Sequence, residues 1–250
     1  MDRRLLKLDF KHCVTALSDI VMPRVCVVCG RSLTLREDVL CLSCKGDFPY
    51  THFEKHPHNV MADRYNELIN SQSSDSTEPY QWAFALLHYD ALYRNVTRAL
   101  KYRADFEEGK YFAEITVRCI RQCPWFDDID LVVPVPLHPL RKLRRGYNQA
   151  DIIAETIGKA LEVRVERHLL ARVRYSTSQT SLTHEQRAQN VSGAFALKSR
   201  TPKPSARHIL LVDDVFTTGA TLAACHKTIR TVYDETVRIS VATLAFAKEF

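Results

Sequence analysis

Ile209-Leu-Leu-Val-Asp-Asp-Val-Phe-Thr-Thr-Gly-Ala-Thr221 decides the fold class of this 250-residue chain. The apolar run 209–212 has no polar alternation, as expected of a parallel strand buried on both faces. Asp213 and Asp214 follow at the carboxyl end of that strand. Thr217, Thr218, Gly219, Ala220 and Thr221 then form a turn that opens onto a helix beginning at Leu222. In an open α/β sheet, ligands bind just outside the carboxyl ends of the strands. The turn offers backbone N–H groups and threonine hydroxyls at a helix N-terminus, a cradle for a phosphate, and Gly219 permits close backbone approach. The acidic pair repels a bare phosphate. It suits vicinal hydroxyls, which donate to carboxylates, with a divalent cation nearby. A sugar phosphate satisfies both halves.

Along its whole length this stretch resembles the phosphoribosyl diphosphate signature of type I phosphoribosyltransferases. The alternative is a flavodoxin-like strand with a capping acid, which needs only a lone acidic strand end. It does not call for the complete order of apolar run, acid pair and Thr-Thr-Gly-Ala-Thr.

With 46% apolar and 26% charged residues, the composition is that of a globular protein. No apolar run approaches the roughly 18 to 20 residues of a membrane span. The start turns polar again at Lys7 and Asp9, without the apolar core of a signal peptide, so the expected location is cytoplasmic. A formal charge of +6 is compatible with a polyanionic partner without identifying one. The cysteines carry more information. Cys26 and Cys29, then Cys41 and Cys44, are two CxxC pairs brought together by one short loop, the spacing of a tetrahedral structural zinc site. Redox CxxC motifs are the alternative, but they belong at helix starts in thioredoxin-like domains. Cys13, Cys119, Cys123 and Cys225 read as small buried hydrophobes in helices.

Helical spacing of Leu6, Phe10, Cys13, Val14, Leu17, Ile20 and Val21 predicts a leading helix that ends before Pro23. A double-zinc-ribbon-like module follows, giving a first unit over residues 1–54. Residues 55–80 are polar and read as a loop or linker, most clearly at Ser71-Gln-Ser-Ser-Asp-Ser76. Strands expected at 82–89, 131–136, from 208 and at 236–244 alternate with helices at 92–102, 111–123, 148–161 and 222–233. That order predicts an α/β fold over residues 81–250, a parallel sheet flanked by helices. Residues 169–197 look hairpin-like.

Two further runs bear on the site. Pro134-Val-Pro-Leu-His-Pro-Leu-Arg-Lys-Leu-Arg-Arg-Gly-Tyr-Asn-Gln149 puts prolines and four basic residues after a strand, with Asn148 as a candidate helix cap. It is either a solvated basic turn or a loop facing a diphosphate, since arginine pairs with phosphate oxygens bidentately. The polar run 175–189, after Arg172 and Arg174, reads as a lid over the site or as a surface hairpin.

Taken in order, the cysteine ribbon, the 84–102 stretch, the proline–basic run, the Arg/Gln/Arg/Asn segment and the signature strand resemble the ComF family, over nearly the whole chain. The resemblance implies a type I phosphoribosyltransferase fold with a zinc-finger appendage, acting in DNA uptake for natural transformation or in DNA utilisation. It implies that Asp213 and Asp214 bind the ribose hydroxyls of phosphoribosyl diphosphate, that residues 217–221 bind its 5-phosphate with magnesium present, and that Cys26, Cys29, Cys41 and Cys44 bind zinc. Single-stranded DNA is an implied partner, with a DNA-translocating helicase as a candidate second one. The ribbon cations Arg24, Arg31, Arg36 and Lys45 are the candidates for its backbone. Many type I enzymes carry a catalytic lysine in their flexible loop, and none lies between Arg167 and Lys198 here. The alternative function is metabolic: transfer of ribose 5-phosphate to a nitrogen acceptor with release of diphosphate. A glutamine amidophosphoribosyltransferase is excluded, because residue 2 is Asp2 rather than a nucleophilic cysteine.

Overall fold

The computed structural model describes residues 19, 23–71, 78–90, 92–102, 106–174, 193–198 and 204–247. The leading helix and the 175–189 segment read from the sequence lie outside them, apart from Asp19. In chain order the elements are α1 (Leu42–Gly46), a 3-10 turn (Phe53–Lys55), α2 (Val60–Ser71), β1 (Ala83–His88), α3 (Arg94–Tyr102) and α4 (Phe106–Ile120). A second 3-10 turn (Pro124–Phe126), β2 (Leu131–Pro134), α5 (Pro139–Arg145), α6 (Gln149–Leu161), β3 (Arg164–Val165) and β4 (Leu170–Arg172) follow. β5 (Phe195–Leu197), β6 (His208–Phe216), α7 (Ala220–Arg230) and β7 (Arg238–Phe246) complete the described chain.

Five strands pair in the order β1-β7-β6-β2-β3, each pair parallel. The α/β expectation therefore holds. Residues 209–212 of β6 are fully buried, because helices cover both faces of a parallel sheet. α6 turns Ile153, Ala154 and Ile157 inward at helical spacing. A side chain at Gly158 would fall 2.2 Å from Val165 Cγ2, so glycine is what lets α6 lie against β3. β4 and β5 form the expected hairpin as a separate antiparallel pair, with Arg172 opposite Phe195.

The connections set the site. From β2 the chain crosses through α5 and α6 to β3 on one side. β6 lies on the other side of β2, and α7 carries the chain further away to β7. Crossovers that diverge at the β6–β2 boundary leave a crevice outside the carboxyl ends of those two strands.

Three readings change. The segment read as loop contains α2, a twelve-residue helix. Its buried stripe is Met61, Ala62, Tyr65, Asn66 and Ile69, and the other positions are polar enough to hide the periodicity. Asn59 supplies the missing start signal: its Oδ1 accepts from the N–H groups of Met61 (3.1 Å) and Ala62 (3.0 Å) while its Nδ2 donates to Ala83 O of β1 (3.0 Å). A second unexpected helix, α5, occupies the proline–basic run; His138 caps it, Nδ1 accepting from Leu140 N–H at 3.2 Å. Third, Asn148 stands at the N-cap position of α6 but does not cap it with its side chain. It donates instead to Val135 O (3.0 Å) and Asp151 Oδ1 (2.9 Å), tying the β2 loop to the helix.

The cysteine module packs into the same core as the sheet. Tyr50 bridges Leu87 in antiparallel fashion, His88 N–H donates to Pro49 O (2.9 Å) and Thr51 N–H to Leu86 O (3.2 Å). The segment 49–51 thus seals the free edge of β1. Tyr93 hydroxyl donates to Cys44 O (2.8 Å), Asn95 Nδ2 to Val28 O (2.9 Å), and the Phe48 ring stands 5.5 Å from Tyr93.

Candidate functional site

β6 is longer than its neighbour β2. The last paired residue of β2, Pro134, lies opposite Val212, whereas β7 pairs with β6 through Asp213 and on to Phe216. Asp213 and Asp214 thus lie within the last turns of a strand that runs on to Phe216, rather than at its tip, and β6 projects past β2 from Asp213 onward. Asp213 Oδ1 accepts from the Asp214 N–H at 2.8 Å, and both residues are half-buried.

The turn behind them divides its labour. Thr218 is buried and its Oγ1 accepts from Ala220 N–H at 3.3 Å, which makes it the side chain that starts α7. Thr217 and Thr221 are half-buried. Gly219 sits at φ +78°, the N-cap of α7, and a Cβ there would lie 2.6 Å from both Leu68 Cδ1 and Phe216 Cζ. The positive φ and the close packing of Phe216 and of Leu68 from α2 thus favour glycine here, a different reason from the ligand approach read in the sequence.

Two arginines enter from elsewhere. Arg172 of β4 is buried, and its guanidinium carbon lies 5.3 Å from the centre of the Phe195 ring. Burial lowers its pKa, the like charge of Arg141 adds to that, and Asp213 and Cys225 oppose it. Arg141 and Arg145 lie one helical turn apart on the half-buried side of α5, and Arg145 donates to Gln149 Oε1 at 2.6 Å. Charges of both signs thus gather around Asp213. Carboxylates can accept from sugar hydroxyls while guanidinium groups and the start of α7 face phosphate oxygens. The basic run was visible in the sequence; that Arg172 joins it was not, because it arrives through the hairpin.

The four ribbon cysteines have sulfur atoms within 4.8 Å of one another. Cys29 Sγ and Cys41 Sγ are 3.7 Å apart, against the about 3.8 Å edge of a tetrahedron with zinc–sulfur bonds of about 2.3 Å. Gly30 turns the first knuckle at φ +75°, donating to Cys26 O at 2.8 Å. The Cys44 N–H, 3.5 Å from Cys41 Sγ, is the main reason that thiol is held down at about 7, already near the thiolate a metal takes. Burial pushes the Cys119 thiol up to about 11 and Cys123 to about 12, as suits inert core positions. Among the described residues the cluster contains no histidine. The ribbon cations are partly spent within the ribbon. Arg24 pairs with Asp19 (3.0 Å) and donates to Glu37 O and Thr34 O; Arg31 pairs with Glu37 at 3.3 Å.

Known proteins are similar to this chain. A model of the phosphoribosyl transferase domain matches residues 142–249. Competence protein F of Haemophilus influenzae is 26% identical over 220 residues, covering 86% of this chain and 94% of its own. DNA utilization protein YhgH of Escherichia coli is 26% identical over 202 residues, covering 80% and 81%. Competence protein ComFC of Bacillus subtilis is 24% identical over 221 residues, covering 87% and 77%. Together these matches support the ComF family.

The domain match runs from α5 to β7 and takes in the whole signature strand and turn. The cysteine cluster lies outside that match, yet it is consistent with a zinc ribbon built onto the sheet edge. Among the described residues no helix is long and apolar enough to cross a membrane.

Proposed function

We propose that this chain is a DNA-handling protein of the cytoplasm, serving natural transformation or DNA utilisation, whose crevice between β6 and β2 binds phosphoribosyl diphosphate. The observation that carries this reading is the placement of Asp213, Asp214 and residues 217–221 at the point where the sheet's connections diverge. In the bound state Asp213 and Asp214 accept from the ribose hydroxyls. Thr217, Thr221 and the first N–H groups of α7 hold the 5-phosphate, and Arg141 and Arg172 face the diphosphate. Magnesium supplies charge neutralisation of the diphosphate oxygens. Zinc held by Cys26, Cys29, Cys41 and Cys44 is structural, since four thiolates leave no open position. The printed names of the relatives, competence and DNA utilization proteins, support the DNA-handling role. Within this proposal single-stranded DNA is the substrate handled and a DNA-translocating helicase the partner class. Calorimetry with magnesium and phosphoribosyl diphosphate tests the pocket. The wild type binds, and Asp213→Asn with Asp214→Asn loses about 1.5 to 3 kcal/mol per charge-assisted bond. Equal binding by both proteins defeats the reading.

A second reading, transfer of ribose 5-phosphate to a nitrogen acceptor, is favoured by one observation. Buried Arg172 is a cation whose charge is felt at Asp213, able to take the electrostatic place of a loop lysine as the C1–oxygen bond breaks and diphosphate leaves. Release of diphosphate in the presence of candidate amines checks it.

A further inference from the structure

We propose that the outward face of α5, formed by Leu140, Lys142, Leu143 and Arg144, is the surface on which this chain holds single-stranded nucleic acid. The inference rests on the DNA-handling reading and moves the contact from the ribbon to the mouth of the crevice.

Charge decides against the ribbon. Residues 23–50 carry four cations against three carboxylates. One zinc held by four thiolates adds a net negative charge of two, so the loaded ribbon has no positive excess. Arg24 and Arg31 are moreover engaged within it. Residues 137–147 carry four cations and no carboxylate.

α5 also presents something a pure phosphate site would not need. No residue of this helix is buried, and its leucines are the two residues that the fold would be expected to hide: Leu140 is 54% exposed and Leu143 82%. Leu140, Leu143 and Arg144 share one face at i, i+3 and i+4. Lys142 flanks them, still exposed and only loosely paired with Asp151 at 3.4 Å. Arg141 and Arg145 lie on the half-buried side, where Arg145 donates to Gln149 and the Arg141 charge is felt at Arg172. Apolar side chains beside cations fit a strand whose base faces are uncovered, since leucine can pack on a base while lysine and arginine meet the phosphates on either side. A duplex offers the phosphates but hides the base faces. The surface therefore favours single strands.

Fluorescence anisotropy of the zinc-loaded full chain, with a labelled mixed-sequence single strand and the matching duplex over a salt series, tests this. Lys142→Ser with Arg144→Ser should weaken single-strand binding about tenfold at low salt and flatten the logarithmic salt slope by about 1.4, the signature of two lost phosphate contacts. Leu140→Ser with Leu143→Ser should lower single-strand affinity about fivefold, leaving the slope and the duplex affinity unchanged. Arg36→Ser with Lys45→Ser should change neither. All these positions are exposed, so Tm should stay constant. If the wild type binds single strands and both α5 variants bind as well as it does, the inference is overturned, and the helix is left as a surface for an acidic protein partner. If the wild type itself fails to bind at low salt, the DNA-handling reading has failed, and the inference falls with it.

Discussion

The two ends of β6 carry similar residue types and use them in opposite ways. At the amino end the polar groups pair with one another around a buried histidine. His208 is fully buried, with Nδ1 2.5 Å from Asp128 Oδ1 and Nε2 2.8 Å from Ser240 Oγ. Its backbone N–H donates to Asp130 at 3.1 Å, and Arg238 lies 3.8 Å above the Trp82 ring. At the carboxyl end, Asp213 and Asp214 stay half-exposed in a crevice, with Arg172 and Arg141 gathered from two other segments. A polar cluster satisfied within itself stabilises the fold. One assembled from distant segments around an opening is arranged for a ligand.

That contrast can be broken in several ways. The largest effect should come from neither end. Structural zinc contributes on the order of 10 kcal/mol to small fingers. Because residues 49–51 seal β1, Cys41→Ser or chelation should lower the unfolding temperature of the whole chain, rather than melt the ribbon alone. Calorimetry showing an unchanged main transition beside a separate ribbon transition would count against this coupling.

At the amino end, His208→Ala should cost about 3 kcal/mol, the sum of a small cavity and two orphaned partners. Denaturant unfolding measures the cost, and the affinity of the folded variant for phosphoribosyl diphosphate should be untouched. At the carboxyl end, Gly219→Val should weaken the pocket through packing and a positive φ, at roughly 1 to 3 kcal/mol. Leu68→Ala in the same chain should recover part of that loss. No recovery would return Gly219 to the role of ligand approach.

The smallest effect is a pH dependence between the two ends. On α7, His226 Nδ1 lies 2.7 Å from the Tyr65 hydroxyl, and Glu78 pairs with Arg230 at 2.7 and 2.8 Å. Burial pulls the His226 pKa down, so the folded chain takes up that proton later than the unfolded one. Its contribution is complete above about pH 6.5 and declines as pH falls. Burial also pushes the Glu78 carboxyl up, but hydrogen bonds from His226 and Arg230 outweigh this and hold it at about 2. That stability is present above the ordinary carboxylate range and is lost toward pH 2. His226→Gln should flatten the decline of Tm below about pH 6.5.

What could be read in the sequence was contiguous. The β6 signature and the paired CxxC motifs each hold their chemistry within a few residues, so the parallel sheet and the cysteine cluster were legible before any coordinates. What escaped was non-local or masked by polarity. α2 buries Asn66 beside Met61 and Tyr65, which blurs its apolar stripe. Part of the reason for Gly219 lies at Leu68, far away in sequence. Arg172 reaches Asp213 only because the β4–β5 hairpin packs on α7. The ribbon cations looked free until Asp19 and Glu37 were seen to engage two of them.

Backbone amide chemical shifts of the labelled, zinc-loaded chain, titrated with magnesium and phosphoribosyl diphosphate, test the central claim most directly. Perturbations should gather at residues 213–221 and 135–142, with His208 and Ser240 at the other end of the sheet unmoved. Saturating ligand that shifts no residue of the crevice, or that shifts mainly the amino end, would contradict the account.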